Sequence, residues 1–170
     1  IQGSSISLGE KEKHYGLMYT LQGTVRNLTI SDSRIQVKQE GSWTGAFAGD
    51  AFHATFENCH TTATVQITGT YQTAGICANV SRSSVIRGCT NGADITATES
   101  AGSGAGIVCY TGSAVTECKN TGTVTSSGDA AGIAVSANDG LADCENTGNV
   151  SAGGYAAGIA CRFGDGALNG

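Results

Sequence analysis

Seven cysteines, three histidines and fourteen acidic side chains are the residues of this chain best equipped for chemistry. The cysteines stand at 59, 77, 89, 109, 118, 144 and 161. Two of them open near-identical heptapeptides, "CKNTGTV" from Cys118 and "CENTGNV" from Cys144, 26 positions apart. A Cys, an Asn and a Gly in fixed order fit a metal site, a nucleophilic thiol or a structural repeat. Zinc needs Cys and His at short local spacing such as CxxC, and none occurs; His14, His53 and His60 lie near the first cysteine alone. Cys59 and His60 are adjacent, so on a strand they point to opposite faces. A catalytic thiol needs a neighbouring base in an exposed, electropositive setting. No metal or other cofactor is expected.

The acids divide in the same way. A sugar-cleaving enzyme needs paired carboxylates, or a carboxylate and a base, on one face. Asp129, Asp139, Asp143 and Asp165 sit mostly beside Gly, where turn formation accounts for them. Asp139 and Asp165 occupy comparable corners 26 residues apart and could form a weak calcium site, although no calcium-loop consensus is matched.

The elements that position these residues emerge when the chain is laid against itself. One column pairs apolar residues three apart: Val25 and Leu28, Phe56 and Cys59, Ile86 and Cys89, Val115 and Cys118, Leu141 and Cys144. Successive copies start 31, 30, 29 and 26 residues apart. Six residues beyond the cysteines comes a second column, Val65, Ile95, Val124 and Val150. The "AGI" triplet supplies a third, with Ile76, Ile107, Ile133 and Ile159, and with Leu17 and Phe47 in the earlier copies. Each piece is short, rich in Val, Ile and Thr and bounded by Gly, Asn, Ser or Asp, which predicts strands. Such Gly density would cost a helix about 1 kcal/mol per residue relative to Ala.

Three strands per copy predict an all-β fold, a right-handed, three-sided parallel β-helix or β-solenoid of about five coils, each roughly 4.8 Å from the next. Cys59, Cys89, Cys118 and Cys144 then form one interior ladder. Cys109 and Cys161 share a column with Ala78 and Val135, a substitution pattern that packing permits and ligation forbids. Cys77 falls out of phase by one residue, which suggests a bend or an exposed thiol. Disulfides between adjacent coils fit on Cα spacing alone, but packing is the preferred reading. Asn120 and Asn146 are expected to hydrogen-bond along the axis, and Gly122 and Gly148 to take positive φ at a corner.

Composition bounds the function. The 170 residues carry a net charge of −5, only 14% charged side chains, 26 glycines and no proline. No basic stripe interleaves with aromatics, so nucleic acid is not an expected partner; no apolar run is long enough for membrane insertion. The chain opens at Ile1 and stops mid-coil, so it reads as a segment of a longer protein with flanking domains. Residues 1–14, "IQGSSISLGEKEKH", precede the pattern as an N-terminal cap or linker, with the charged "EKEK" protecting an open edge; residues 15–170 form the repeat domain.

The stretches "AGI…VIRGCTNGADIT", "AGIVCYTGSAVTECKNTGTVT" and "AGIAVSANDGLADCENTGNVS" resemble the GLUG-motif repeats of bacterial surface proteins. The resemblance covers roughly residues 15 to 170 and matches the order and spacing of all three columns. It departs in using "AGI" followed by Ala or Cys where the family often has "GGLVG". It implies an extracellular, cell-surface location, as in adhesin-like proteins and the N-terminal regions of immunoglobulin-A-cleaving metallopeptidases, and it offers no catalytic residues to transfer. The expected function is a non-catalytic structural or adhesive module, with a host glycan or an extracellular protein as partner. The alternatives are an accessory region of a secreted surface enzyme such as a metallopeptidase, or a carbohydrate-active β-helix. Trp43, Tyr71 and Tyr155 precede their "AGI"-type strands by three or four residues, so a shared corner is expected. There they either cover a gap or stack on sugar rings or a protein partner.

Overall fold

The computed structural model describes residues 5–6, 13–81, 83–164 and 168–169, and no helix occurs among them. The chain winds as a parallel β-solenoid of about five turns. One turn consists of Gln72–Ala74, Cys77–Val80, Val85–Arg87, Thr90–Asn91 and Asp94–Ala97. The next repeats it as Ser103–Ala105, Val108–Thr111, Val115–Thr116, Lys119–Asn120 and Val124–Ser126. Two apolar columns read from the sequence lie in strands, at Ile86 and Ile95, and the third, the Ile of "AGI", lies in the bend between Gln72–Ala74 and Cys77–Val80. The strands Gln72–Ala74 and Thr90–Asn91 are made of small and polar residues, which give no apolar signal. The longer Met18–Arg26 and Ala48–Glu57 run through two strand positions in early turns, so the columns join into four sheets.

Stacking follows the repeat closely. Val25, Phe56, Ile86, Val115 and Leu141 are in register, one per turn. The "AGI" isoleucines also stack: Phe47 N–H bonds the Ile76 carbonyl, Ile76 that of Ile107, Ile107 that of Ile133 and Ile133 that of Ile159. Phe47, Phe56, Ile76, Ile86, Ile107 and Ile133 are fully buried, each worth about 1.5–3 kcal/mol relative to exposure.

Two expectations are corrected here. Ile67, not Val65, stands in register with Ile95. The corner before it holds two more residues than the corner of the following turn and closes with a Val65 N–H bond to the Thr62 carbonyl, leaving Val65 buried beside the column. Gly122 and Gly148 do not have positive φ. They are glycines because a Cβ at 122 would collide with the Ala93 carbonyl, and one at 148 with the Gly122 carbonyl, each in the preceding turn. The left-handed corner lies elsewhere, at Asn27, Asn58, Gly88, Glu117 and Asp143, all with φ between 51 and 62°. These residues separate each apolar strand position from its following Leu or Cys.

The axial asparagine ladder is present. Thr61 Oγ1 donates to Asn91 Oδ1 at 2.6 Å, Asn91 Nδ2 to Asn120 Oδ1 at 2.7 Å, and Asn120 Nδ2 to Asn146 Oδ1 at 2.7 Å. Each Asn also donates to the carbonyl two residues on, at 3.0 Å. Asn91 and Asn120 are fully buried, so these bonds satisfy amides that would otherwise be costly. Close stacking explains the Gly of "AGI": a Cβ on Gly75, Gly106 or Gly132 would strike the carbonyl of Gly106, Gly132 or Gly158 in the next turn, and also Asn91, Asn120 or Asn146 of the ladder.

At the N-terminal end, Ser5–Ile6 pairs with Arg34–Ile35, and His14–Tyr15 with Trp43–Thr44. The first turn therefore reaches into the stretch read as a cap or linker. Residues 1–4 and 7–12, with most of "EKEK", lie outside the described residues.

Candidate functional site

Two side-chain columns face each other across a bend in the coil. The first is His14, Trp43, Gln72, Ser103 and Asp129, in register; Tyr155 continues it, because Ala130 pairs with Ala156 and its N–H bonds the Tyr155 carbonyl. The second is Thr20, Asp50, Asn79, Tyr110, Ser136 and Arg162. Between them Ala74, Ala105, Ala131, Cys109 and Val135 form a small apolar cluster, separate from the main core, with Tyr110, Ala157 and Cys161 packed against it. That cluster is buried beneath the two columns, which border an open groove toward the C-terminal end.

The walls are tied by side chains. Asn79 Nδ2 donates to Asp50 Oδ1 at 2.8 Å, and Arg162 Nη2 to Asp129 Oδ2 at 2.7 Å across the groove. Asp129 Oδ1 accepts the Tyr155 N–H at 3.0 Å. Ser103 Oγ and the Tyr110 hydroxyl lie 3.5 Å apart. Asp129 and then Tyr110 contribute to raising the Arg162 pKa. Toward the C-terminal end the groove widens to about 330 Å³, floored by Gly102, Gly128 and Gly154 and bounded by Tyr110, Asp129 and Arg162. Asp129 is thus a wall residue at the start of a strand, not a turn former.

The three aromatics do not share one patch. Trp43 and Tyr155 occupy the same column, four turns apart. Gln72, not Tyr71, stacks on Trp43, so Tyr71 is displaced by one residue. Trp43 stacks on His14 with ring centroids 4.7 Å apart, and His14 on Tyr19 at 5.0 Å. Tyr155 is 71% exposed. The sequence did not single out Tyr110, Gln72 or Arg162; only their shared register reveals them.

The cysteines form the expected ladder. Cys59, Cys89 and Cys118 are buried and Cys144 half-buried. Each thiol donates to main-chain carbonyls: Cys89 to those of Phe56 and Arg87, Cys118 to those of Ile86 and Thr116. Hydrogen bonds between rungs raise the thiol pKa of Cys59 and Cys118 and lower that of Cys89 and Cys144, while burial raises all four. Of the two readings left open for Cys77, a bend and an exposed thiol, the bend holds: the residue is 0% exposed and in register with Ala48 and Val108. The bend at the "AGI" strand turns two consecutive residues inward, so Ile76 and Cys77 both join the main core. Burial pushes the Cys77 and Cys109 thiols well up.

No cluster of three or more His, Cys, Asp or Glu side chains able to hold a metal occurs among the described residues. Asp139 lies in an exposed bend, whereas Asp165, its partner in the suggested calcium corner, lies outside the described residues. Among the described residues no helix is long and apolar enough to cross a membrane. No protein-family model, curated protein or solved structure matches this chain.

Proposed function

We propose that this chain is a non-catalytic module of an extracellular bacterial surface protein, a stiff spacer that also presents an adhesive face. The observation that supports the spacer role is the continuity of axial bonding. Every interior turn is hydrogen-bonded to the turn on each side along all its strands, and the buried asparagine ladder adds a side-chain thread through consecutive turns. Bending such a stack requires breaking buried hydrogen bonds together. The resemblance to GLUG-motif repeats supports the surface location. Burial of five of the seven thiols is compatible with an oxidising exterior, because oxidation follows exposure and thiolate character.

The groove supports the adhesive half, since it is an open concavity bordered by Tyr110, Asp129 and Arg162. The acids of its walls are engaged, Asp50 by Asn79 and Asp129 by Arg162 and the Tyr155 N–H, which leaves them poorly placed as general bases. The test is retention of beads coated with the chain on surfaces carrying mucin glycans or extracellular-matrix proteins. Retention above that of beads coated with an inert protein is expected on at least one surface. Equal retention on all of them would remove the adhesive role.

A further inference from the structure

We infer that the open pocket at the C-terminal end of the groove binds a single neutral pyranose, the exposed terminal sugar of a glycan, through Asp129, Arg162 and Tyr110. The inference rests on the adhesive reading above and names its ligand class. Three stacked glycines keep the pocket open. Gly102, Gly128 and Gly154 precede Ser103, Asp129 and Tyr155 in successive turns, a position held by Ser42 and Tyr71 in the two turns before. A Cβ on Gly128 would collide with the Gly102 carbonyl, and one on Gly154 with Asp129 Oδ1. No side chain therefore projects from this position beside Asp129, and about 330 Å³ stays open between it, Tyr110 and Arg162. That volume lies at the small end of the roughly 300–1,000 Å³ of ligand pockets, which suits one sugar and not a chain.

The walls carry the groups a sugar needs. The Asp129 side chain is only 16% exposed, and Arg162 Nη2 and the Tyr155 N–H donate to its two oxygens. An ionised carboxylate offers about four acceptor sites, so about two are left for a ligand. Arg162 is 53% exposed and gives Asp129 one donor from its planar fork. The pair thus sets free acceptors beside free donors. Adjacent hydroxyls of a pyranose match it: one donates to Asp129 while its neighbour accepts from Arg162. Half-buried Tyr110, two turns from Arg162 on the same wall, adds a ring against which the C–H face of the sugar packs.

Charge and polarity argue against other ligands. The opposite charges of Asp129 and Arg162 cancel, which leaves little field to hold an anionic sugar, a sulfate or a phosphate. Ser100, Ser127 and glycine main chain make up much of the remaining lining. An apolar side chain or a lipid tail would desolvate those polar groups without pairing them.

The test follows the backbone amide signals of the full chain by nuclear magnetic resonance during titration with the methyl glycosides of mannose, galactose, fucose and N-acetylglucosamine. N-acetylneuraminic acid and glucuronic acid serve as anionic comparisons. At least one neutral glycoside is expected to shift Gly128, Asp129 and Gly154 saturably, with a dissociation constant of about 1 mM. Both anions are expected to bind at least about fivefold more weakly. Ser127→Trp, at an exposed position lining the pocket, is expected to fill it and weaken binding at least about tenfold. Arg162→Gln, also at an exposed position, is expected to weaken it about tenfold. Unchanged urea midpoints verify that the variants are folded; if Arg162→Gln lowers its midpoint, Ser127→Trp decides. No saturable shift with any neutral glycoside, tighter binding of an anion, or shifts that survive Ser127→Trp would overturn the inference. If it is overturned while coated beads still adhere, the pocket assignment fails and the adhesive reading survives; if the beads do not adhere either, both fail.

Discussion

Replacing Asn120 by Ala removes three side-chain hydrogen bonds at once: the donation to the Gly122 carbonyl, the donation to Asn146 Oδ1 and the acceptance from Asn91 Nδ2. The loss does not stop at the deleted groups. One hydrogen of the fully buried Asn91 amide loses its partner in a place water does not readily reach, and the oxygen of the half-buried Asn146 loses its own. A net hydrogen bond is worth about 1 kcal/mol, and each buried group left unpaired costs about 1–3 kcal/mol, so the substitution should cost about 3–5 kcal/mol. That is a large share of the ~5–15 kcal/mol typical of a whole domain. Asn146→Ala removes one rung bond and the Gly148 contact from a half-buried site and leaves one hydrogen of the buried Asn120 amide without its partner, so a smaller loss of about 2 kcal/mol is expected. Urea unfolding followed by circular dichroism measures both, with the m-value as a check that unfolding remains comparable. If Asn120→Ala lies within 1 kcal/mol of the parent, or costs no more than Asn146→Ala, the ladder does not hold the turns together and the reasoning fails.

Other outcomes follow from the same packing. Gly106→Ala places a methyl against Asn120 and the Gly132 carbonyl. It should cost about 2–3 kcal/mol by overpacking; a neutral result in the same urea titration would mean the turns can separate locally. Glu117 holds a left-handed φ of 54° where the preceding turn has Gly88. Relief of a strain of about 1–2 kcal/mol, less the chain-entropy cost of Gly, predicts that Glu117→Gly gains up to about 1 kcal/mol, whereas Glu117→Val loses stability. A water-soluble maleimide should label Cys144 and Cys161 in the native chain and reach Cys59, Cys77, Cys89, Cys109 and Cys118 only on unfolding. Rapid native labelling of Cys77, read by mass spectrometry, would contradict its place in the core.

The features legible in the sequence were those in which every turn repeats the same kind of side chain. The isoleucines of "AGI", the Phe56–Ile86–Val115–Leu141 column, the cysteine ladder and the stacked asparagines all satisfy that condition. Val65 was mistaken for Ile67 because two extra corner residues shift the column without changing its residue type. For Cys77 the sequence left a bend or an exposed thiol open, because strict alternation fails where a bend turns two neighbours inward. The left-handed corner escaped notice because Asn, Gly, Glu and Asp share no obvious property there, and Glu117 is an unusual occupant. The groove was hidden for a related reason. Its walls place a different side chain on each turn, so a search for similarity discards the variable positions that shape a binding surface. Trp43 and Tyr155 were visible as aromatics, yet only the backbone register separates them from Tyr71 and adds Gln72, Tyr110 and Arg162.

The central claim, that the repeated heptapeptide is a stacking element and not a chemical site, is tested most directly by hydrogen exchange of the asparagine side-chain amides, followed by nuclear magnetic resonance in D2O. The account predicts strongly protected Nδ2 protons at Asn91 and Asn120, faster exchange at Asn146, and loss of protection at Asn91 in Asn120→Ala. Exchange of all three side chains at the rate of a free amide would contradict it.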